Sequence, residues 1–312
     1  MATLSGLKRT LMVTRDLHSI LFMKFSKKRR SITFRNGSTL RLTWPEFRLL
    51  RDNYKLLKEN ALEQVNEGLF KIKTDKLDFT GSLLNICILA GFNLDFAVQQ
   101  MGANLFKIKN DKLELMGSFA MLGSIWEIEQ GDYDCDCRGK VVLDVGGFEG
   151  ESTAFFWIMG AKKVIIYEPV RAHHEFIRKN VSLNHINAEI HEEGIGNGDG
   201  TQIIDYEDMG TCFGDGKGHH QMEIKIRDVA SVIEESDAKV AKFDCEGAEE
   251  SLVHVSSEIL RRIEFYIIEV HTPEIRRAII KKFNESGFSL VKETAKNTQR
   301  SVISLKLNLS VQ

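Results

Sequence analysis

Val141-Val142-Leu143-Asp144-Val145-Gly146-Gly147-Phe148-Glu149-Gly150-Glu151-Ser152 sets the architecture of this chain: an apolar run ends on an acid and then enters a glycine-rich turn. The run reads as a buried strand, and the turn as a loop whose backbone N–H groups can come close to a ligand. The segment from Thr153 to Met159 is then expected to be a helix whose N-terminus aims at the same place. A dinucleotide fingerprint, G-x-G-x-x-G, would have glycine where Asp144 stands. A carboxylate there repels phosphate and suits a ligand carrying an ammonium or sulfonium centre.

A second apolar run, Val164-Ile165-Ile166-Tyr167, ends on Glu168-Pro169. An acid at the end of a second strand can accept the hydroxyls of a ribose. Strand, acidic glycine turn, helix, strand and acid together point to S-adenosylmethionine, and Asp144 speaks against a nicotinamide dinucleotide.

Two further segments carry candidate chemistry. In Val240-Ala241-Lys242-Phe243-Asp244-Cys245-Glu246-Gly247-Ala248-Glu249, Asp244 and Glu246 are two apart, which puts both on one side if the strand runs as far as Glu246. Such a pair can take a proton, hold a divalent cation, or orient an amine or hydroxyl. Equally, Glu246 can cap the following helix and Asp244 can pair with a basic side chain. Phe265-Tyr266-Ile267-Ile268-Glu269-Val270-His271 ends the next strand on an acid and a histidine, and the imidazole can face Asp244 and Glu246.

From Lys140 onward, strands and helices alternate, with strands expected near 140–146, 164–168, 187–191, 222–227, 239–244 and 263–270. Alternation of this kind calls for a parallel sheet covered on both faces. Ligands in such sheets lie beyond the carboxyl ends of the strands, where Asp144, Glu168, Asp244 and Glu269 fall. Late strands near 287–293 and 300–307 should close the sheet edge.

Residues 1–30 form a basic arm with Lys8, Arg9, Arg15, Lys24, Lys27, Lys28, Arg29 and Arg30 against Asp16 alone. Bound to an anionic partner, RNA or a membrane surface, it would explain the charge; as a solvated arm it needs no partner. Residues 31–130 read as an accessory region. Asn36-Gly37 between two alternating runs signals a hairpin, and Pro45 opens a helix expected to run through about Leu62. An internal duplication follows: residues 69–86 are echoed by 105–122, with Leu69-Phe70-Lys71-Ile72-Lys73 matching Leu105-Phe106-Lys107-Ile108-Lys109. Each copy reads as a small hairpin, a turn and a helix. Residues 131–312 form the expected catalytic domain.

A formal charge of −2 over 312 residues argues against coating nucleic acid by bulk charge. Five cysteines without paired spacing fit a reducing, cytoplasmic setting, and Cys135-Asp136-Cys137 lacks the second half of a zinc site. The adjacent His219-His220 follow a glycine-rich stretch that reads as a mobile loop, able to act as a lid, and no third metal ligand accompanies them. No apolar run is long enough to span a bilayer. Homo-oligomerisation is open.

On these residues, Lys140 to His271 resembles the FkbM-type family of S-adenosylmethionine-dependent methyltransferases. The segments that carry the resemblance are 143–153, Tyr167-Glu168-Pro169, Lys242 to Glu249, and Ile268-Glu269-Val270-His271. Asn180 and Asn184 fit the helix that follows the ribose-binding acid in many such enzymes. The resemblance implies a Rossmann-like α/β sheet of seven mostly parallel strands with helices on both faces, carrying an N-terminal α+β extension. It implies Asp144, Gly146, Gly147 and Gly150 on the methionine side of the donor and Glu168 with Pro169 at its ribose. Methylation of a hydroxyl on a sugar, glycosylated metabolite or other small molecule follows by analogy, with Asp244, Glu246 and His271 as catalytic candidates and no metal ligand assigned, although a divalent metal is chemically compatible. Two alternatives stay open: an RNA methyltransferase gripping with the basic N-terminal region, and a non-catalytic module that binds an adenosyl ligand.

Overall fold

The computed structural model describes Thr14 and residues 30–35, 37–52, 61–73, 78–82, 85–86, 96–102, 104–207 and 219–308. The basic arm apart from Thr14 and Arg30, and the glycine-rich loop before His219, lie outside them, as do Leu83, Leu84 and most of the residues between the two copies of the duplication. The chain divides into two compact units, Met1–Asn110 and Asp111–Gln312.

In the first unit, β1 (Arg30–Thr33) and β2 (Thr39–Leu42) form the expected antiparallel hairpin, turned by Gly37 at φ +89°. Helix α1 (Trp44–Asp52) starts on a capping box: Glu46 accepts from the Thr43 N–H at 2.7 Å, and Thr43 Oγ1 accepts from the Glu46 N–H at 3.5 Å. It does not reach Leu62. Residues Ala61–Asn66 form β3, which pairs with β4 (Leu69–Lys73) so that Leu62 lies opposite Ile72. The turn at Gly68, φ +84°, folds the chain back and lets pairing override helical periodicity. β5 (Asp78–Gly81) continues the first duplicated stretch antiparallel to β4. β7 (Phe106–Lys109), in the second copy, pairs antiparallel with β6 (Ala97–Gln100), which lies just before that copy. Phe70, Ile72, Phe106 and Ile108 are fully buried, the inward half of each alternating pattern.

The second unit opens with β8 (Glu114–Gly117) and α2 (Phe119–Glu129), capped by Ser118. Then come β9 (Val141–Val145), α3 (Glu151–Ile158), β10 (Lys163–Tyr167), α4 (Arg171–Leu183) and β11 (Ala188–His191). β12 (Gly194–Gly196), β13 (Gly200–Glu207), β14 (His219–Asp228) and α5 (Val229–Glu235) follow, and then β15 (Val240–Phe243). A 3₁₀ turn at Ala248–His254 and α6 (Ser257–Leu260) lead to β16 (Phe265–Val270), α7 (Pro273–Glu285), β17 (Phe288–Ala295) and β18 (Ser301–Leu307).

Seven strands make one sheet in the order β11-β10-β9-β15-β16-β18-β17, parallel as far as β16, with β18 antiparallel between β16 and β17. This is the seven-stranded, mostly parallel, Rossmann-like sheet expected from the sequence, and the order reverses between β9 and β15. The stretch 222–227 is a strand but not a member of that sheet. It belongs to β14, which pairs parallel with β12 and antiparallel with β13 in a separate sheet. Its residues explain why. Met222-Glu223-Ile224-Lys225-Ile226 alternates and can bury one face only, whereas β9, β10 and β15 are mostly apolar and buried almost throughout, as a parallel strand covered on both faces must be.

On one face of the sheet, Tyr266 packs edge-on against Phe283 at 4.8 Å and Phe288 at 5.5 Å, and its hydroxyl donates to the Leu260 carbonyl at 3.0 Å. Each such ring contributes roughly 1.5–3 kcal/mol by burial, enough to anchor α7 and β17 to the strands that carry the site.

Candidate active site

The strand ends of β9, β10, β15 and β16 meet on one side of the sheet. The register there is specific: Asp144 lies opposite Lys242 on β15 and Ile166 on β10. Asp144 is fully buried. Its Oδ2 accepts from Ser152 Oγ at 2.7 Å and Thr153 Oγ1 at 2.6 Å, and its Oδ1 stands 3.4 Å from Lys242 Nζ. The Lys242 ammonium also donates to the Gly146 carbonyl at 2.5 Å and lies 3.8 Å from Asp244. Burial alone would lower its pKa; Asp144, Asp244 and Glu151 outweigh that and hold it above the ordinary lysine value. Asp144 is therefore an internal group that fastens the start of α3 and the floor of the glycine loop.

Gly146 meets a hard geometric limit. Its φ is +77°, and a Cβ placed on it would sit 1.8 Å from the carbonyl oxygen of Asp244. A Cβ on Gly147 would come 2.4 Å from Ile166 Cγ2, and Gly150 takes φ +91° at the head of α3. The loop amides are used inside the fold: Gly146 and Gly147 donate to the Tyr167 carbonyl at 2.8 and 3.2 Å, and Phe148 donates to Glu168 Oε2 at 2.9 Å. Glu168 Oε1 accepts from the Val170 N–H at 2.9 Å and lies 3.1 Å from His173 Nδ1. A carboxylate has about four acceptor positions, so Glu168 keeps one after these three. Pro169, half-buried, follows it directly.

The second cluster gathers around His271. Tyr133, buried, donates to Asp244 Oδ2 at 3.1 Å. His271 Nε2 lies 3.9 Å from Asp244 Oδ1, 3.4 Å from Glu246 Oε2 and 3.9 Å from Glu269 Oε1. On its other side, Nδ1 lies 2.8 Å from Glu249 Oε1. Burial lowers the imidazole pKa, but the Glu249 hydrogen bond and the charges of Glu249, Glu246 and Asp244 together raise it to about 9. Glu269 is pushed up to about 7, first by burial and then by Asp244. Asp244, Glu246 and His271 thus come together as the sequence suggests, but by a different route. β15 stops at Phe243, and Glu246 stands at φ +53° in a turn with its side chain 81% exposed, so strand periodicity does not align it with Asp244. Glu246 does not cap the following turn either: Glu249 does, accepting from the Gly247 N–H at 2.8 Å.

Asn180 and Asn184, one helical turn apart on α4, hold β8. Asn180 accepts from the Met116 N–H at 2.8 Å and donates to the Met116 and Glu149 carbonyls at 2.9 and 2.8 Å. Asn184 pairs with both backbone groups of Glu114 in the same way, at 2.9 and 2.7 Å. Glu149, fully buried, completes the series by accepting from the Ser118 N–H at 2.7 Å. Residues 114–118 are thus tied directly to the loop that follows β9.

Sequence reasoning missed Lys242, Tyr133, Glu149 and Glu249. A signal existed for Lys242, a charge inside the otherwise apolar Val240-Ala241-Lys242-Phe243. A buried strand tolerates one only when a partner lies across from it. Cys135, Cys137 and Cys245 are free thiols.

No family model matches the chain, and no curated protein matches it. Among solved structures it is similar to a candidate RNA methyltransferase from Pyrococcus horikoshii, at 16% identity over 62% of this chain and 84% of that one, with a TM-score of 0.37. A candidate tRNA methyltransferase from Streptococcus pneumoniae, in complex with S-adenosyl-L-methionine, is 12% identical over 58% and 72% of the two chains, with a TM-score of 0.37. A precorrin-6y methyltransferase from Geobacter metallireducens is 10% identical over 59% and 88%, again with a TM-score of 0.37.

Proposed function

We propose that this protein is an S-adenosylmethionine-dependent methyltransferase of FkbM type that transfers a methyl group to a hydroxyl of a sugar or other small metabolite. The observation that carries the reading is the reversal of strand order between β9 and β15, with the glycine loop and Glu168 following β9 and β10 and an acid–histidine cluster following β15 and β16. Ligands of doubly wound sheets bind at this point. Glu168 uses its remaining acceptor position on the donor's ribose, beside Pro169. Asp144, Gly146, Gly147 and Gly150 act by shaping the methionine side, and the first-turn N–H groups of α3 face the donor carboxylate.

The sulfonium already activates the methyl, so the main task is to align acceptor oxygen, methyl carbon and sulfur. The acceptor proton goes to a carboxylate of the Asp244–Glu246 cluster, because both nitrogens of His271 are turned toward acids. His271 orients that cluster.

Calorimetry with S-adenosylhomocysteine and, separately, NADH tests the reading. We expect saturable binding of the first and none of the second, with Glu168→Ala weakening binding at least about tenfold, the scale of a lost charge-assisted hydrogen bond. No heat with S-adenosylhomocysteine would end the proposal, and methyl transfer to RNA in place of small hydroxyl compounds would replace its acceptor half.

A further inference from the structure

Asp244, Glu269 and His271 converge beyond the ends of β15 and β16, one donor atom of each lying within 4.8 Å of the others. The set is mixed: one imidazole nitrogen faces two carboxylate oxygens, each 3.9 Å away. Ligands that share an ion sit about 2.0–2.6 Å from it, so donors at this separation need only a small inward adjustment to meet at one point.

Three observations distinguish this cluster from acids that merely crowd together. Among the described residues His271 Nε2 is buried and has no hydrogen-bond partner, although it faces Asp244 and Glu269 and lies 3.4 Å from the exposed Glu246. The imidazole is oriented from behind by Glu249, which is fully buried and bonds both the ring Nδ1 at 2.8 Å and the His271 backbone N–H at 3.2 Å. A carboxylate behind a histidine fixes the tautomer that offers the outer nitrogen to a metal. Charge points the same way. Asp244, Glu246, Glu249 and Glu269 surround the ring, while among the described residues the nearby cations are Arg300, 3.7 Å from Glu269, Lys242, which Asp144 shares, and Lys296, which Glu127 and Asp132 hold.

We propose that Asp244, Glu269 and His271 form a divalent-cation site, selective for a first-row ion such as Mn²⁺ over Ca²⁺ because imidazole supplies one ligand. Asp244 is about a quarter exposed, so the ion keeps positions open to solvent and to an acceptor. Its catalytic role rests on the methyl-transfer reading. The acceptor hydroxyl binds the ion, which acidifies it. Its proton passes to the exposed Glu246, the oxygen forms a bond to the methyl carbon, and the carbon–sulfur bond breaks with its electron pair going to sulfur. Glu246 is thereby the proton acceptor, and Asp244 and His271 serve as ligands.

The test is titration of the full chain with Mn²⁺, without S-adenosylmethionine, followed by electron paramagnetic resonance. We expect one ion per chain, nitrogen modulation from a coordinated imidazole in the unaltered protein, and binding weakened at least about tenfold in Glu269→Gln and His271→Gln. Absence of saturable binding, or binding without nitrogen modulation, overturns the site whether or not the variants fold. S-adenosylhomocysteine calorimetry on the same sample separates the two ideas: donor binding without Mn²⁺ binding removes only the cation site, and the converse removes only the methyl-transfer reading.

Discussion

Gly146→Ala should destabilise this protein far more than Gly247→Ala, and the difference measures how tightly the loop after β9 packs on the one after β15. Both glycines have positive φ, +77° and +106°, so alanine is conformationally strained at each. That shared cost is about 1–2 kcal/mol. Among the described residues nothing lies within 4 Å of a Cβ added at Gly247, whereas at Gly146 the new atom would stand 1.8 Å from the Asp244 carbonyl oxygen and 2.8 Å from its carbon. Backbone faces backbone there, and no side chain can rotate away. Separating the loops also loosens the Gly146 hydrogen bonds to Tyr167 and Lys242. Overpacking of this kind adds about 1–3 kcal/mol, for a total near 2–5 kcal/mol in a fold whose whole stability is about 5–15 kcal/mol. Urea unfolding of the two variants beside the parent gives both values. If Gly146→Ala costs no more than Gly247→Ala, the close approach is not an energetic constraint and the reasoning fails.

Lys242→Met leaves the Asp144 carboxylate buried without its cation and should cost about 3–5 kcal/mol; an unchanged urea midpoint would show that the pair is dispensable. Asn180→Ala strips partners from Met116 and Glu149 and should cost about 2–4 kcal/mol, with faster amide exchange at Met116 as the local readout. The Glu151 carboxyl is raised to about 8, chiefly by burial, above its unfolded value of 4.5. The unfolded chain therefore ionises first, and this group's contribution to stability is present below about pH 4.5 and lost as pH rises toward 8, at up to roughly 1.4 kcal/mol for each pH unit in that window. Glu151→Gln should remove that part of the decline, measured as melting temperatures at pH 5 and pH 8; parallel curves for parent and variant would refute it.

The parallel sheet is legible in the sequence because its strands are short apolar runs that each end on an acid, and the period of such runs survives any tertiary context. Placing 222–227 in the same sheet fails because a strand's existence can be read locally while its partner cannot. Met222-Glu223-Ile224-Lys225-Ile226 carries a one-sided alternation, the one local hint that it lies elsewhere. The helix expected to reach Leu62 stops early for a related reason: the turn at Gly68 brings β4 alongside, and cross-strand pairing outweighs helical spacing.

Asp144, Glu168, Asp244 and His271 can be picked out from the chain alone because strand ends are where this architecture gathers its polar groups. Their working partners cannot, since those contacts join residues distant along the chain: Lys242 meets Asp144 through strand register, Tyr133 reaches Asp244 from the segment before β9, and Glu249 turns His271 from a neighbouring turn. Local pattern is enough to specify the strand, the glycine turn and the acid after it. It takes the folded arrangement to make Asp144 an internal anchor, to require glycine at 146 because the Asp244 carbonyl leaves no room for a Cβ, and to turn a histidine nitrogen toward two carboxylates. Register and burial set those outcomes, and neither is a property of one segment alone.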